Sequence, residues 1–541
     1  MKKHFSIAII IAMNATDIVS RFTIGTQIIK GTNYVFEDMP YWDKEKKNSR
    51  HKRNYIGKMN GEEFIPNKNY LTRQKATVAG AVSNELVEDK QIVFAERKLA
   101  GGIYLLDKIA NKLGISADLE RAFGNSYSDY LSLAYYLILE SDSPMYRFVH
   151  WATTHDISNN NLSSQRISEL MDSIPETGRM SFFRLQANRH YENEYLAYDT
   201  TSISSYSEYI KAVRYGKNKE GDPLPQVNYA LIFGEKSGLP VYYRKLPGNI
   251  ADVSTVRKLL IDTSFINLKN PKFVLDRGFY SAGNITALYK KYTKFLIGAK
   301  WNTKMIQENF STAKEQFGKI KNFDTKHMLE TATVITKRQV SEKLSRNIYI
   351  HYYYDEKRAS DEKLKFKKML IETKEMAENN NSINETQQKI LNKYFILKNK
   401  KYTFNQVVID SHFENAGCFA LVTNDIKSAI DAIEIYRRKD DVEKAFANSK
   451  ERLEMRRTKV SSDSVLDGRF FLQFLALIFL SHIRNVMSEK NLYKKYTLQE
   501  LLDEIDVIEK CTFNNKINYS EITTKQREIF DAFEFDSPSL L

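Results

Sequence analysis

The sequence predicts an α/β protein: a strand-rich core, interrupted by a β-rich insertion and preceded by a helical region. Three observations carry this. Residues 191–300 read as strand, strand, strand, helix, strand; residues 301–424 hold further β-like runs; and residues 70–190 space their apolar side chains at three and four, the period of a helix.

At 541 residues the chain exceeds what one compact core holds, so roughly two to four domains are expected. Lys and Arg number 81 against 67 Asp and Glu, a net charge of +14, which favours a polyanionic partner such as nucleic acid. The two cysteines, Cys418 and Cys511, are too few for a disulfide framework or a cysteine zinc site, and a reducing cytoplasm fits best. Lys2-Lys3-His4 before the apolar run Phe5–Met13 has the outline of a signal peptide, but the run is short and no clear small-x-small cleavage site follows. A buried strand or a leading extension is the better reading. Leu131–Leu139 and Phe470–Leu480 reach about half of the roughly 20 residues a membrane span needs, so both read as buried helices and no membrane is expected as partner.

Residues 1–69 read as a β-rich basic arm, with short apolar runs between Asn-Gly and Pro-Asn turn steps. Its segment YWDKEKKNSRHKRNY interleaves Lys44, Lys46, Lys47, Arg50, Lys52 and Arg53 with Tyr41, Trp42 and Tyr55. That pattern suits phosphate contacts plus stacking, and equally a solvated turn. Residues 70–190 form the helical region, a candidate DNA-binding module without a helix-turn-helix signature; Ser163 and Ser164 open one of its helices.

In the core, EYLAYDTTS is a strand ending at Asp199, VNYALIF and LPVYYRKL are two strands joined by the turn Gly234–Gly238, DVSTVRKLLIDT is a helix, and PKFVLDRGF is a buried strand ending at Asp276. The insertion, 301–424, contains RNIYIHYYY, CFALVTND and a Lys/Glu/Asn-rich helical excursion whose ENNNSIN segment reads as a flexible tip. Residues 425–492 return to the core as a long helix and a buried one, and 493–541 form a helical tail with a capping box at Thr497 and Glu500.

Two carboxylates at the ends of separate strands are a common frame for Mg²⁺ or Mn²⁺, which prefer oxygen ligands. Two such ions can activate a nucleophile and stabilise the leaving oxygen of a phosphodiester. A third carboxylate is needed. In IYRRKDDVEKAFANSK, at about 100° per residue, Tyr436, Lys439, Glu443 and Lys450 fall in a stripe about 60° wide. One carboxylate thus stands between an aromatic ring and two amines. The same spacing also serves a plain solvated helix, since Lys439 and Glu443 are an i,i+4 pair.

These four residues resemble the Y-(2)-R-(3)-E-(6)-K signature of bacterial insertion-sequence DDE transposases of the IS four type, with Lys439 where that branch usually has Arg. YDTTSIS resembles the segment carrying the first Asp, with Thr200 in place of the more usual Gly, and VLDRGFYS looks like the second-Asp motif. LPGNIADVSTV resembles the stretch that commonly precedes it, and the long gap from Asp276 to Glu443 is where the branch carries a β-rich insertion. The resemblance covers roughly 191–487, and KGTNYVFEDMPYWDKEKKNSRHKRNYIGK also looks like the N-terminal region of relatives.

The resemblance implies an RNase H-like core in which Asp199, Asp276 and Glu443 hold two Mg²⁺ or Mn²⁺ ions. It implies cleavage at the ends of an insertion sequence followed by strand transfer, with terminal inverted repeats and target DNA as partners. A homodimer is expected in the synaptic complex, because two DNA ends must be paired. Lys439 and Lys450 would contact phosphates, Tyr436 would position the DNA, and Arg277 would contact DNA or pair locally. A catalytically silent DNA-binding relic and an RNase H-like nuclease without strand transfer are the alternatives.

Overall fold

The computed structural model describes residues 23–43, 48–61, 63–71, 95–141, 143–157, 162–191, 194–219, 221–341, 344–379, 382–398, 401–513 and 516–539. The Phe5–Met13 run, Lys44, Lys46, Lys47 and part of ENNNSIN lie outside them. The chain divides into two compact units, Met1–Ile92 and Val93–Leu541.

The first unit is a four-stranded antiparallel meander of β1 (Thr23–Ile29), β2 (Thr32–Asp43), β3 (Asn48–Asn60) and β4 (Glu63–Pro66). Val35, Phe36 and Ile56 are its buried centre, and Arg53 lies 4.6 Å from the Phe36 ring centroid. Tyr41 pairs across the ladder with Arg50, and Met39 with Lys52, so exposed cations and a ring share one face.

The second unit begins with β5 (Ala95–Leu99) and six helices: α1 (Gly101–Lys112), α2 (Ile115–Phe123), α3 (Tyr127–Leu139), α4 (Phe148–Thr154), α5 (Ser164–Asp172) and α6 (Glu176–His190). Then come β6 (Tyr195–Ser205), β7 (Gln226–Gly234), β8 (Pro240–Pro247), α7 (Asp252–Phe265), β9 (Lys272–Leu275), α8 (Ala282–Lys290) and β10 (Lys294–Gly298). Strands β6, β7 and β8 form the expected antiparallel meander, and β9 and β10 join β6 in parallel. The sheet order β8-β7-β6-β9-β10 is an RNase H-like core. Its strands are apolar on both faces because helices cover both.

The insertion differs from the expected separate subdomain. It comprises α9 (Lys304–Lys314), β11 (Phe323–Asp324), β12 (Leu329–Ser341), β13 (Leu344–Tyr354), α10 (Glu356–Glu378), α11 (Glu385–Tyr394), β14 (Phe395–Lys398), β15 (Lys401–Phe404), α12 (Gln406–Phe413) and β16 (Cys418–Thr423). Strand β16 pairs with β10 and with β13, so β11, β12, β13 and β16 extend the five-stranded core sheet to nine strands. Only α10, α11, α12 and the β14–β15 hairpin build a second small core, of Leu370, Leu391, Tyr394, Phe395 and Ile409.

The chain closes with α13 (Ala429–Arg452), β17 (Arg457–Thr458), α14 (Asp463–Glu489), α15 (Leu498–Asp506), β18 (Glu509–Phe513), β19 (Lys516–Tyr519) and α16 (Thr524–Ala532). The predicted capping box at Thr497 and Glu500 is present. The tail is not purely helical, because β18 pairs with β19 and with β5.

The helical region expected as a separate module instead shares one core with the sheet. The reason is that α3 and α14 are apolar nearly all round, and helices of that kind have to bury each other. Among the described residues α14 is the one helix long and apolar enough to cross a membrane, and 83% of its apolar window is buried inside the protein. Phe471 is the hub: the rings of Phe123, Tyr130, Phe182 and Phe183 surround it at centroid distances of 5.2–6.3 Å. Phe471→Ala is therefore expected to cost about 3–5 kcal/mol and to lower the melting temperature by several degrees. Ile261→Ala, at a position 52% exposed, should change stability by no more than about 0.5 kcal/mol. Equal shifts for the two in thermal melts would contradict this packing.

Candidate active site

Asp199 lies inside β6 rather than at its end, a correction to the sequence expectation. The strand runs on because Thr200–Ser204 pair with β7, while Ser204 and Ser205 pair with β17. What stops at this point is the parallel ladder to β9, whose last pair is Tyr198 with Leu275. Asp199 and Asp276 each follow one step later. They are lateral neighbours at the place where β9 leaves the sheet.

Helix α13 brings the third carboxylate. Its start is fixed by β13: the Tyr353 hydroxyl donates to the Ala429 carbonyl (2.7 Å), and His351 Nε2 donates to the Ile426 carbonyl (3.0 Å). His351 is fully buried, accepts from the Thr333 hydroxyl, and burial lowers its pKa to about 4, so it is a neutral structural residue. Farther along, Arg438 is ion-paired with the buried Glu235 at the end of β7. Near the C-terminal end, Lys450 Nζ donates to the Thr201 hydroxyl (2.6 Å) and the Ser202 carbonyl (3.2 Å) of β6.

Between these anchors, the Tyr436 hydroxyl donates to Asp276 Oδ1 at 2.8 Å. Gly298 permits that approach, since a Cβ there would lie 2.7 Å from the Tyr436 oxygen. The Lys439 ammonium donates to Glu443 Oε1 and lies 3.1 Å from Asp440 Oδ1 and 5.1 Å from the Tyr436 ring centroid. It is 1% exposed, and Lys450 is 4% exposed. The two lysines of the stripe therefore face the protein interior. Arg277 is exposed beside Asp276.

The sequence reading missed Lys219. It comes from the irregular segment between β6 and β7, where no periodicity could flag it. Its ammonium donates to the Thr200 carbonyl (2.6 Å) and hydroxyl (2.8 Å), and lies 3.2 Å from Asp252 and 3.7 Å from Asp199. The Thr200 hydroxyl in turn donates to Asp252 Oδ1 at 2.6 Å. Asp252 belongs to the LPGNIADVSTV motif, the one signal that pointed to this corner.

The electrostatics follow from crowding. Burial and the charge of Asp199 push the Glu443 carboxyl up to about 7, against the pull of Lys439. Burial also raises Asp199, opposed mainly by Lys219. Asp276 is pushed up by burial, but the Lys439 charge, the Tyr436 hydroxyl and the amides of Arg277 and Gly278 more than offset this and hold it low. Oxygen donors held in mutual repulsion fit a hard divalent cation in their chemistry. Among the described residues no three His, Cys, Asp or Glu side chains stand close enough to share one ion, and the ammonium of Lys439 lies among the carboxylates.

A cavity of 370 Å³ opens beside Asp276, lined among others by Arg277, Trp301, Arg358, Tyr436 and Arg437.

Because Glu443 titrates higher folded than unfolded, its protonated form is the stabilising one. That contribution is complete below its ordinary pKa of 4.5 and is lost as pH rises through about 7. In the presence of EDTA the wild type is expected to melt higher at pH 5.5 than at pH 8, and Glu443→Gln to lose part of that difference. An undiminished difference in the variant would mean that Glu443 is not the group responsible.

The family model described as Transposase DDE domain matches residues 191–479, more than half of the chain. No curated protein matches. Among solved structures, one similar chain comes from the cryo-EM structure of the piggyBac transposase synaptic complex with hairpin DNA, with 11% identity and a TM-score of 0.32, over 74% of this chain and 70% of that one.

Proposed function

Since the chain belongs to the DDE transposases, we propose that it is a DNA transposase of the insertion-sequence branch with the Y-(2)-R-(3)-E-(6)-K signature, and that Asp199, Asp276 and Glu443 are its catalytic carboxylates. The observation that carries this is the register of β6 and β9, which makes Asp199 and Asp276 neighbours where the ladder ends, with Glu443 presented by α13.

Asp199, Asp276 and Glu443 would hold Mg²⁺ or Mn²⁺. Bound there, the metal supplies Lewis-acid stabilisation of the phosphoryl oxygens and a nucleophile at neutral pH. Tyr436 holds the Asp276 carboxylate in one orientation through its hydroxyl. Lys219 and Asp252 hold Thr200, and with it the backbone beside Asp199. The inward Lys450 ties α13 to β6 and the inward Lys439 compensates the carboxylates around it, so the phosphate contacts pass to the arginines that line the cavity, Arg277 and Arg437. The substrates are then the terminal inverted repeats of an insertion sequence and a target duplex. A homodimer in the synaptic complex fits the need to pair two ends.

Incubation with DNA carrying the ends of the surrounding element, with and without Mg²⁺, tests this. The wild type should cleave and join. Asp276→Asn should lose at least about 10³-fold in cleavage, the several kcal/mol that a bound metal contributes, while still binding DNA. Binding without cleavage by the wild type would indicate a silent relic, and cleavage without joining a nuclease. Full activity in Asp276→Asn would refute the carboxylate assignment.

A further inference from the structure

The cavity beside Asp276 does not end there. Arg277, Trp301, Arg358 and Cys418 also line a second cavity of 830 Å³, whose far wall is the small helical core of the insertion. The charge on that lining is lopsided. Arg277, Arg358, Lys363, Lys365 and Lys393 face it with a single carboxylate, Glu362, and Glu362 is already bound to Arg358 and to the Gly417 amide. Among the described residues none of the three lysines has a carboxylate partner. Such a surface presents a local excess of positive charge that attracts an anionic occupant.

The cations are interleaved with rings. Trp301, Phe366, Tyr394, His412 and Phe413 line the same cavity; the last four pack on one another, with Phe366 stacked on His412 at 4.0 Å between centroids. A cationic groove with aromatic walls suits a polynucleotide strand whose bases are unpaired. The phosphates follow the charges, and the free faces of the bases stack on the rings. A duplex stacks its bases on one another and offers no free base face to the partly exposed rings of this lining, Trp301, Phe366, His412 and Phe413.

We propose that this groove holds an unpaired DNA strand running from the phosphate at Asp276 across the insertion, which makes α10–α12 a clamp for DNA separated next to the cut. The inference rests on the transposase reading but concerns binding, not catalysis. Residues 361–413 supply Lys363, Lys365 and Lys393, far in sequence from the carboxylates. The groove therefore explains why this insertion carries a second hydrophobic core, where a sheet extension alone needs none.

The test uses the full chain in EDTA and fluorescence anisotropy with two probes, a labelled 20-nucleotide oligo(dT) and a labelled 20-base-pair duplex of arbitrary sequence. The variant combines Lys363→Gln, Lys365→Gln and Lys393→Gln, with its melting temperature checked against the wild type. Expected is a loss of about tenfold or more on oligo(dT), with the slope of log K against log salt flatter by about 2, and a change under about threefold on the duplex. Equal losses on both probes, or no loss on oligo(dT), would overturn the proposal. The measurement is made without metal and reads binding alone, whereas the carboxylate assignment is read by cleavage in Mg²⁺, so a failure of the catalytic assignment and a failure of the groove remain distinct results.

Discussion

The site depends on compensation of clustered, partly buried negative charge. Asp199, Asp276 and Glu443 are brought to one corner of the fold by elements that are rigid for other reasons, and carboxylates partly withdrawn from water are stabilised by a partner charge. The ammonium of Lys439, enclosed by Glu443, Asp440 and the Tyr436 ring, supplies that partner from within the same helix. A second amine, Lys219 of the segment between β6 and β7, lies 3.7 Å from Asp199. A compact ammonium fits such an enclosure where a guanidinium fork would need more room and more acceptors, which gives a physical reason for Lys at this position. Its burial is thus a consequence of the charge it serves.

That arrangement requires two placements accurate to one residue. The first is the parallel register of β6 and β9, since a slip of one would turn Asp199 to the other face of the sheet. The second is the rotation of α13, fixed at its start by Tyr353, in its middle by Arg438 with Glu235, and at its far end by Lys450. Helix α13 seats Ala429, Ala432 and Ile433 in the core at its start and is polar beyond, so there these polar contacts hold Glu443 in place.

Much of this was legible in the sequence, because the carboxylates sit in short local motifs and the β6–β9 order follows from strand periodicity. The angular arithmetic that grouped Tyr436, Lys439, Glu443 and Lys450 was sound, yet it could not tell whether the stripe faced solvent or protein. Lys450 proved to be interior because β6 lies beneath it, and Lys439 because Glu443, Asp440 and the Tyr436 ring enclose it. Asp199 looked like a strand terminus because the apolar run before it stops there, whereas β7 and β17 recruit Thr200–Ser205 into the sheet. Lys219 lies in irregular chain, where spacing carries no information. The merging of the insertion with the core depends on pairing between β10 and β16, more than a hundred residues apart, and no local pattern encodes it.

That last pairing bears on how such a protein could be trimmed or could have grown. Strand β10 would be the open edge of a five-stranded core, presenting unsatisfied amides and carbonyls on an apolar strand to any neighbouring chain. Here β16 seals that edge from within the molecule. The insertion is consequently a permanent part of the architecture and not a removable accessory. A shortened chain without it would meet self-association before it met any question of catalysis.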